Sequence, residues 1–171
     1  MKKSNKRKFD FKISVLETKE DSLEFRVDGE FVPASRPRFS KFGSYIAEPY
    51  KSFKKQFFIS VNDSLKSYSK NFIGKPLSID ISFFKKLPTS ISKANRKEAL
   101  ENGCTKRPDL DNYFKAVLDS LENIIFTDDS HVVELSGRKL YTEEENNIVI
   151  KIKIFKLKGT RIDGKSKWHW I

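Results

Sequence analysis

Asp111-Asn-Tyr-Phe-Lys-Ala-Val-Leu-Asp-Ser-Leu-Glu-Asn-Ile-Ile-Phe-Thr127 is a stretch in which the apolar spacing changes once. Up to Glu122 the apolar residues Phe114, Val117, Leu118 and Leu121 recur at steps of three and one. That is one face of an amphipathic helix, with Asp111 suited to its N-cap. Asn123 tolerates the left-handed conformation that ends a helix. Ile124, Ile125 and Phe126 then make a short unbroken apolar run, which reads as a strand ending at Asp128-Asp129. A helix handed directly to a strand decides for a mixed fold.

The flanking sequence agrees. Residues 23–32 alternate apolar and polar and predict a strand. Pro33 and Pro37 interrupt regular pairing over residues 33–39, and residues 43–49 read as a turn or short strand holding Tyr45. Phe53, Phe57, Val61, Leu65 and Tyr68 form a helical stripe over residues 50–70. Residues 77–84 read as a strand. Ser90 or Ser92 can cap a short helix that runs to Glu101 and stops at Gly103. Residues 132–141 and 147–157 look like an antiparallel pair joined by the polar turn 142–146, with Ile148, Ile150, Ile152 and Ile154 on one face. The expected class is α/β or α+β: one domain, with a small mixed, mainly antiparallel sheet flanked by helices. A basic disordered arm is expected over residues 1–12, a folded domain over 13–157 and a basic tail over 158–171.

The composition suits one core in 171 residues, because 15 Phe and 5 Tyr supply bulk to a chain that is only 37% hydrophobic. Cys104 is the single cysteine, which excludes an internal disulfide and fits a reducing cytoplasm. It reads as an incidental loop thiol. No stretch is apolar enough to cross a bilayer, and no apolar segment follows the basic N-terminus, so neither a membrane span nor a secretion signal is expected. The net charge of +11 is unevenly placed. Residues 36–107 hold 16 basic and 5 acidic side chains, whereas residues 108–150 hold 3 basic and 10 acidic. A basic body favours a polyanion, most simply nucleic acid. The acidic segment inside it would repel phosphate unless it holds cations.

Asp109 and Asp111 stand two residues apart before the helix, so in extended backbone they point the same way. Two hard oxygen donors on one side suit Mg²⁺, with water completing the octahedron. A lone D-x-D is weak evidence, since it also occurs in calcium loops and sugar-nucleotide enzymes. Lys115 lies one turn beyond Asp111, and Asp111, Lys115, Asp119 and Glu122 can line one polar surface. The plain alternative is an ion pair on a solvated helix. Asp128 and Asp129 face opposite ways if the chain is extended, so one of them would meet the metal; otherwise they only make a turn.

Residues 107–121, Arg-Pro-Asp-Leu-Asp-Asn-Tyr-Phe-Lys-Ala-Val-Leu-Asp-Ser-Leu, followed by Ile125-Phe-Thr-Asp-Asp-Ser-His-Val-Val133, closely resemble the signature of RusA-type Holliday-junction resolvases. Val32-Pro-Ala-Ser-Arg-Pro-Arg-Phe39 is similar to that family's early basic loop. The resemblance spans residues 24–156. It implies that Asp109, Asp111 and Asp129 are metal carboxylates, with Asp128 the less certain ligand, and that Lys115 is the catalytic lysine. It gives Asp119 the role of a structural partner of Lys115. It implies DNA contact by Ser35, Arg36, Arg38, Lys106 and Arg107. It further implies Mg²⁺ (Mn²⁺ able to substitute), a branched-DNA substrate, a homodimer, no small-molecule cofactor, a cytoplasmic setting and an origin often in phages or prophages. Asn123 departs from the glycine common after the helix, and the basic tails fall outside the resemblance.

Two rivals stand beside this reading. A non-catalytic nucleic-acid-binding module would suit the charge but has no need of three Asp facing a Lys. A sugar-nucleotide enzyme would need a phosphate loop that is absent here. His131 reads as an outward strand residue without a partner to make it a general base, and Trp168 and Trp170 as packing rather than base-stacking groups.

Overall fold

Leu77, Ile79, Ile81 and Phe83 alternate along one strand and are all buried, which makes that strand the centre of the fold. The structure is a computed structural model and describes residues 7–46 and 48–156. Its elements are strands β1 (Lys12–Lys19), β2 (Ser22–Asp28), β3 (Arg38–Ser40) and β4 (Gly43–Tyr45), helix α1 (Tyr50–Ser69), strand β5 (Leu77–Lys86), helices α2 (Lys93–Glu101) and α3 (Leu110–Leu121), a 3₁₀ turn (Asp129–His131), and strands β6 (Val132–Thr142) and β7 (Asn147–Ile154). Five strands form one sheet in the order β1-β2-β7-β5-β6, and β3 and β4 pair apart from it. All neighbours in the large sheet are antiparallel except β5 and β6. The expected α+β class with a mixed, mainly antiparallel sheet holds. No helix among the described residues is long and apolar enough to cross a membrane.

One sheet face is apolar. Leu23, Phe25 and Val27 of β2 register with Ile152, Ile150 and Ile148 of β7, which register in turn with Ile79, Ile81 and Phe83 of β5. All are buried and belong to one core with the stripe Phe53, Phe57, Val61 and Leu65 of α1 and with Val117 and Leu121 of α3. The sheet's other face carries polar partners such as Glu24 and Lys151 (2.7 Å) or Asp80 and Ser136 (2.6 Å), as expected when only one side of a sheet is covered.

The structure corrects several expectations. Strands β6 and β7 do not pair: β5 lies between them, parallel to β6 and antiparallel to β7. Their connection passes over the end of β5, where the Leu87 N–H donates to the Thr142 carbonyl (2.9 Å) and the Lys86 N–H to Asn146 Oδ1 (2.8 Å). A few extended residues bridge the two strand spacings involved, so a short polar turn did not mean a hairpin. The run Ile124–Phe126 is buried but turns, with one bridge between Glu122 and Phe126, and Asn123 takes φ 64°. The helix buries Tyr113, Ala116, Val117, Ser120 and Leu121, with Phe114 and Leu118 half-exposed. Its N-cap is Asp109, and Asp111 lies in its first turn.

The expected arm also loses its second half. Phe9 is buried, Phe11 meets Phe53 and Phe57 edge-on at 5.7 and 5.3 Å, and Gln56 Oε1 accepts from the Phe9 N–H at 2.8 Å. Aromatic burial outweighs the local positive charge there. Residues 1–6 and the tail from 157 on, including Trp168 and Trp170, lie outside the described residues.

Gly137 of β6 lets α3 approach the sheet. A Cβ there would fall 2.0 Å from the Ile81 carbonyl oxygen and 3.0 Å from the Phe114 ring. Replacing Gly137 with Ala should therefore destabilise the fold by about 2 kcal/mol, on the scale of overpacked cores, read as a lower denaturation midpoint. An unchanged midpoint would contradict the close approach.

Candidate active site

Helix α3 has a strong division between faces. With Tyr113, Ala116, Val117, Ser120 and Leu121 turned to the core, Asp111 and Lys115 are left exposed on the other side, four residues apart and thus neighbours. The segment that follows wraps beneath Leu121, where the Asn123 N–H donates to the Phe126 carbonyl (2.7 Å), and delivers Asp129. The result is a shallow depression lined by Asp111, Lys115, Phe114, Leu118, Asp129 and Leu135. Its exposed surface is mainly apolar, and Asp119 lines it as well.

The commitments of these side chains differ. Asp111 accepts one long bond from Asn112 Nδ2, 3.3 Å. Among the described residues Lys115 has no ion-pair partner, and the carboxylates of Asp109 and Asp129 accept no hydrogen bond. Asp128 is engaged: it caps the 3₁₀ turn by accepting from the Ser130 N–H at 2.9 Å. Bonds from Ser130, side chain first, hold its carboxyl below the usual range. Asp119 is engaged too. The Tyr50 hydroxyl donates to it at 2.8 Å, and Lys54 lies at 3.6 Å. Its expected partnership with Lys115 is replaced by this tie between α1 and α3. His131 ends the turn rather than lying in a strand. Its Nδ1 is 3.0 Å from the Asp128 carbonyl oxygen, which can only accept, so Nδ1 carries the proton.

Asp109 belongs to a second depression across the first turn of α3, lined by Pro33, Ala34, Arg36, Arg107 and Asn112. The two basic loops meet there. The Ala34 N–H donates to the Asn112 carbonyl (2.8 Å), which fixes the first loop to α3. The second is held from below: Lys139 Nζ donates to the carbonyls of Lys106 and Pro108, each at 2.6 Å, and Lys85 Nζ to that of Arg107 at 3.3 Å. Ser35, Arg36, Lys106 and Arg107 are exposed on these loops, whereas Arg38 sits farther on, in β3.

The structure thus brings Asp111, Lys115 and Asp129 together, and sets Asp109 beside Arg36 and Arg107. No group of three His, Cys, Asp or Glu side chains is gathered as a metal cage among the described residues. The donors nevertheless suit Mg²⁺, which is held by one or two carboxylates while keeping waters and taking substrate phosphate oxygens. Sequence reasoning missed Lys139, Lys85 and Tyr50. Lys139 alone left a signal, as a charge on the strand face that also carries Leu135 and Gly137, in register with buried Phe83.

Residues 28–153 match the family model described as endodeoxyribonuclease RusA. Over 131 residues the chain is 37% identical to the uncharacterized protein YqaN of Bacillus subtilis (strain 168), an alignment covering 72% of this chain and 91% of that protein.

Burial, and then the bond to Asp119, raise the Tyr50 phenol well above its ordinary 10.0. The folded state therefore holds a proton that the unfolded chain releases, and stability present below pH 10 is lost as pH rises beyond it. Tyr50→Phe should lower stability at pH 7 by about 1 kcal/mol and flatten the loss above pH 10, measured by denaturant titration. An equally steep alkaline loss in the variant would contradict the assignment.

Proposed function

The chain belongs to the RusA endodeoxyribonuclease family, and on that premise we propose that it cuts phosphodiester bonds at four-way DNA junctions with Mg²⁺ at the α3 depression. The observation that carries the reading is that Asp111, Lys115 and Asp129 line one exposed depression with their charges largely uncommitted. Asp111 and Asp129 are the ligands the depression supports best. Asp109, which lines the neighbouring depression with Arg36 and Arg107, is the third candidate, and Asp128 stays with its cap. When bound, Mg²⁺ or Mn²⁺ would polarise the scissile phosphate and lower the pKa of a coordinated water.

The chain's own groups do the rest. Lys115 Nζ neutralises charge building on the phosphorane oxygens or the leaving oxygen. Arg36 and Arg107 hold a neighbouring phosphate and so set the register without reading bases. Lys139 and Lys85 keep the second loop in place through its carbonyls. Each ammonium keeps at least one further proton, so this holding role leaves their positive charge on the DNA-facing side intact.

A four-way junction is two-fold symmetric and needs two matched cuts, so a homodimer with isologous contacts suits it. A protein that acts on cellular DNA in this way would work in the cytoplasm. That the described residues hold no preassembled three-carboxylate cage is the observation that favours a binding module without catalysis. It weighs less than the uncommitted Asp and Lys, because a module that only binds has no use for carboxylates beside its phosphate grip.

With a synthetic four-way junction and Mg²⁺, the unaltered protein should nick symmetric strands. Asp111→Asn and Lys115→Met should each slow cutting at least about a hundredfold with junction binding kept. Binding without cutting by the unaltered protein would refute the nuclease reading. Affinity should also fall with salt, and Arg36→Ala should flatten the log–log slope by about 0.9, the share of one phosphate contact. An unchanged slope would remove Arg36 from the interface.

A further inference from the structure

Strands β3 and β4 pair only with each other, in the register Arg38↔Tyr45, Phe39↔Ser44 and Ser40↔Gly43, around the loop Lys41-Phe42. This finger carries the two most exposed large apolar side chains among the described residues, Phe39 at 84% and Phe42 at 89%, with Tyr45 half-exposed. None of the three rings joins the core. Clustered exposed rings of this kind mark an interaction surface.

The finger's charge narrows the partner. Residues 36–46 hold Arg36, Arg38 and Lys41 and no acidic residue, and Lys41 Nζ lies 5.0 Å from the centre of the Phe42 ring. Cations interleaved with exposed aromatics fit a polyanion that also offers flat π faces, which describes nucleic-acid bases on their backbone. An apolar protein partner would have to bury those cations unpaired. The root of the finger agrees: it leaves the loop tied by Ala34 to α3, beside Arg36 and Asp109. Whatever nucleic acid lies on that grip is within the finger's reach.

We propose that the hairpin is a stacking wedge. Phe39 and Phe42 lie against bases that have lost a neighbour at a branch point, while Arg36, Arg38 and Lys41 hold the flanking phosphates. Continuous duplex has no free base face, so stacking there requires opening a base step first. The finger therefore selects branched over linear DNA. This inference rests on the nucleic-acid reading of the neighbouring site, but not on catalysis there.

The test measures affinity of the full chain for a four-way junction and for a linear duplex of the same sequence, in EDTA so that neither is cut. The double variant Phe39→Ala/Phe42→Ala should lose about fivefold or more in junction affinity per ring. Its duplex affinity, melting midpoint and sedimentation should match those of the unaltered protein. Phe39→Trp/Phe42→Trp should retain junction affinity. Equal losses on both substrates, no loss on either, a shift in oligomeric state alone, or no junction preference in the unaltered protein would each overturn the wedge. A protein that selects junctions through these rings yet never cuts them with Mg²⁺ would overturn the nuclease reading and leave the wedge standing.

Discussion

The seating of α3 on the sheet is the constraint on which the remaining geometry depends. Tyr113, Ala116, Val117 and Leu121 turn inward, and the Phe114 ring comes down over Gly137, where no side chain intervenes between the helix and the Ile81 backbone. The burial of that face leaves Asp111 and Lys115 no choice but to look outward. The same seating draws the following turn under the helix end, so that Asp129 arrives beside them. Apolar packing thus assembles a polar site, although none of its members is individually held by strong bonds. The contrast with Asp119 and Asp128 is instructive. Both lie in the same acidic segment, but one ties α3 to α1 through Tyr50 and the other caps a turn. Of five nearby aspartates, geometry commits two to structure and leaves three without a strong bond among the described residues.

The basic loops follow a similar division of labour. Lys139 and Lys85 are cations in a region where cations suggest DNA, yet their ammonium groups donate to loop carbonyls. These bonds tie the loop from Lys106 to Pro108 to β5 and β6, and so fix where Arg107 and Asp109 begin. Charge counting alone does not reveal that two of the region's cations also hold the loop. The exposed Arg36 and Arg107 are better candidates than the total of +11 would suggest.

Local pattern was a good guide where periodicity ran long. The stripe of α1, a serine cap for α2 (Ser90 or Ser92, of which Ser92 serves), the strand β5 and the left-handed Asn123 were all legible from residues alone. Topology was not. Nothing in residues 132–154 reveals that β5 separates β6 from β7, because pairing partners are chosen by long-range burial and not by the turn between two strands. Strand β1 was missed since its side chains are mostly exposed and it lies at the sheet edge. The buried face of α3 was misjudged by one position because Tyr113 and Ser120 do not look apolar. Ser120 resolves this by donating to the Ala116 carbonyl at 2.7 Å. The candidate site was legible as a list of residues through family resemblance. The split of its carboxylates between two depressions depends on the first turn of α3 and could be seen only in three dimensions.

On the proposed reading, Asp111 and Asp129, which line one depression through the seating of α3, hold a divalent cation next to Lys115. Anomalous diffraction from crystals of the protein with junction DNA and Mn²⁺ tests it most directly. A manganese peak is expected within about 2.2 Å of carboxylate oxygens of both Asp111 and Asp129, with no peak at that position in Asp111→Asn. A manganese peak elsewhere, or one that survives the substitution unmoved, would contradict it.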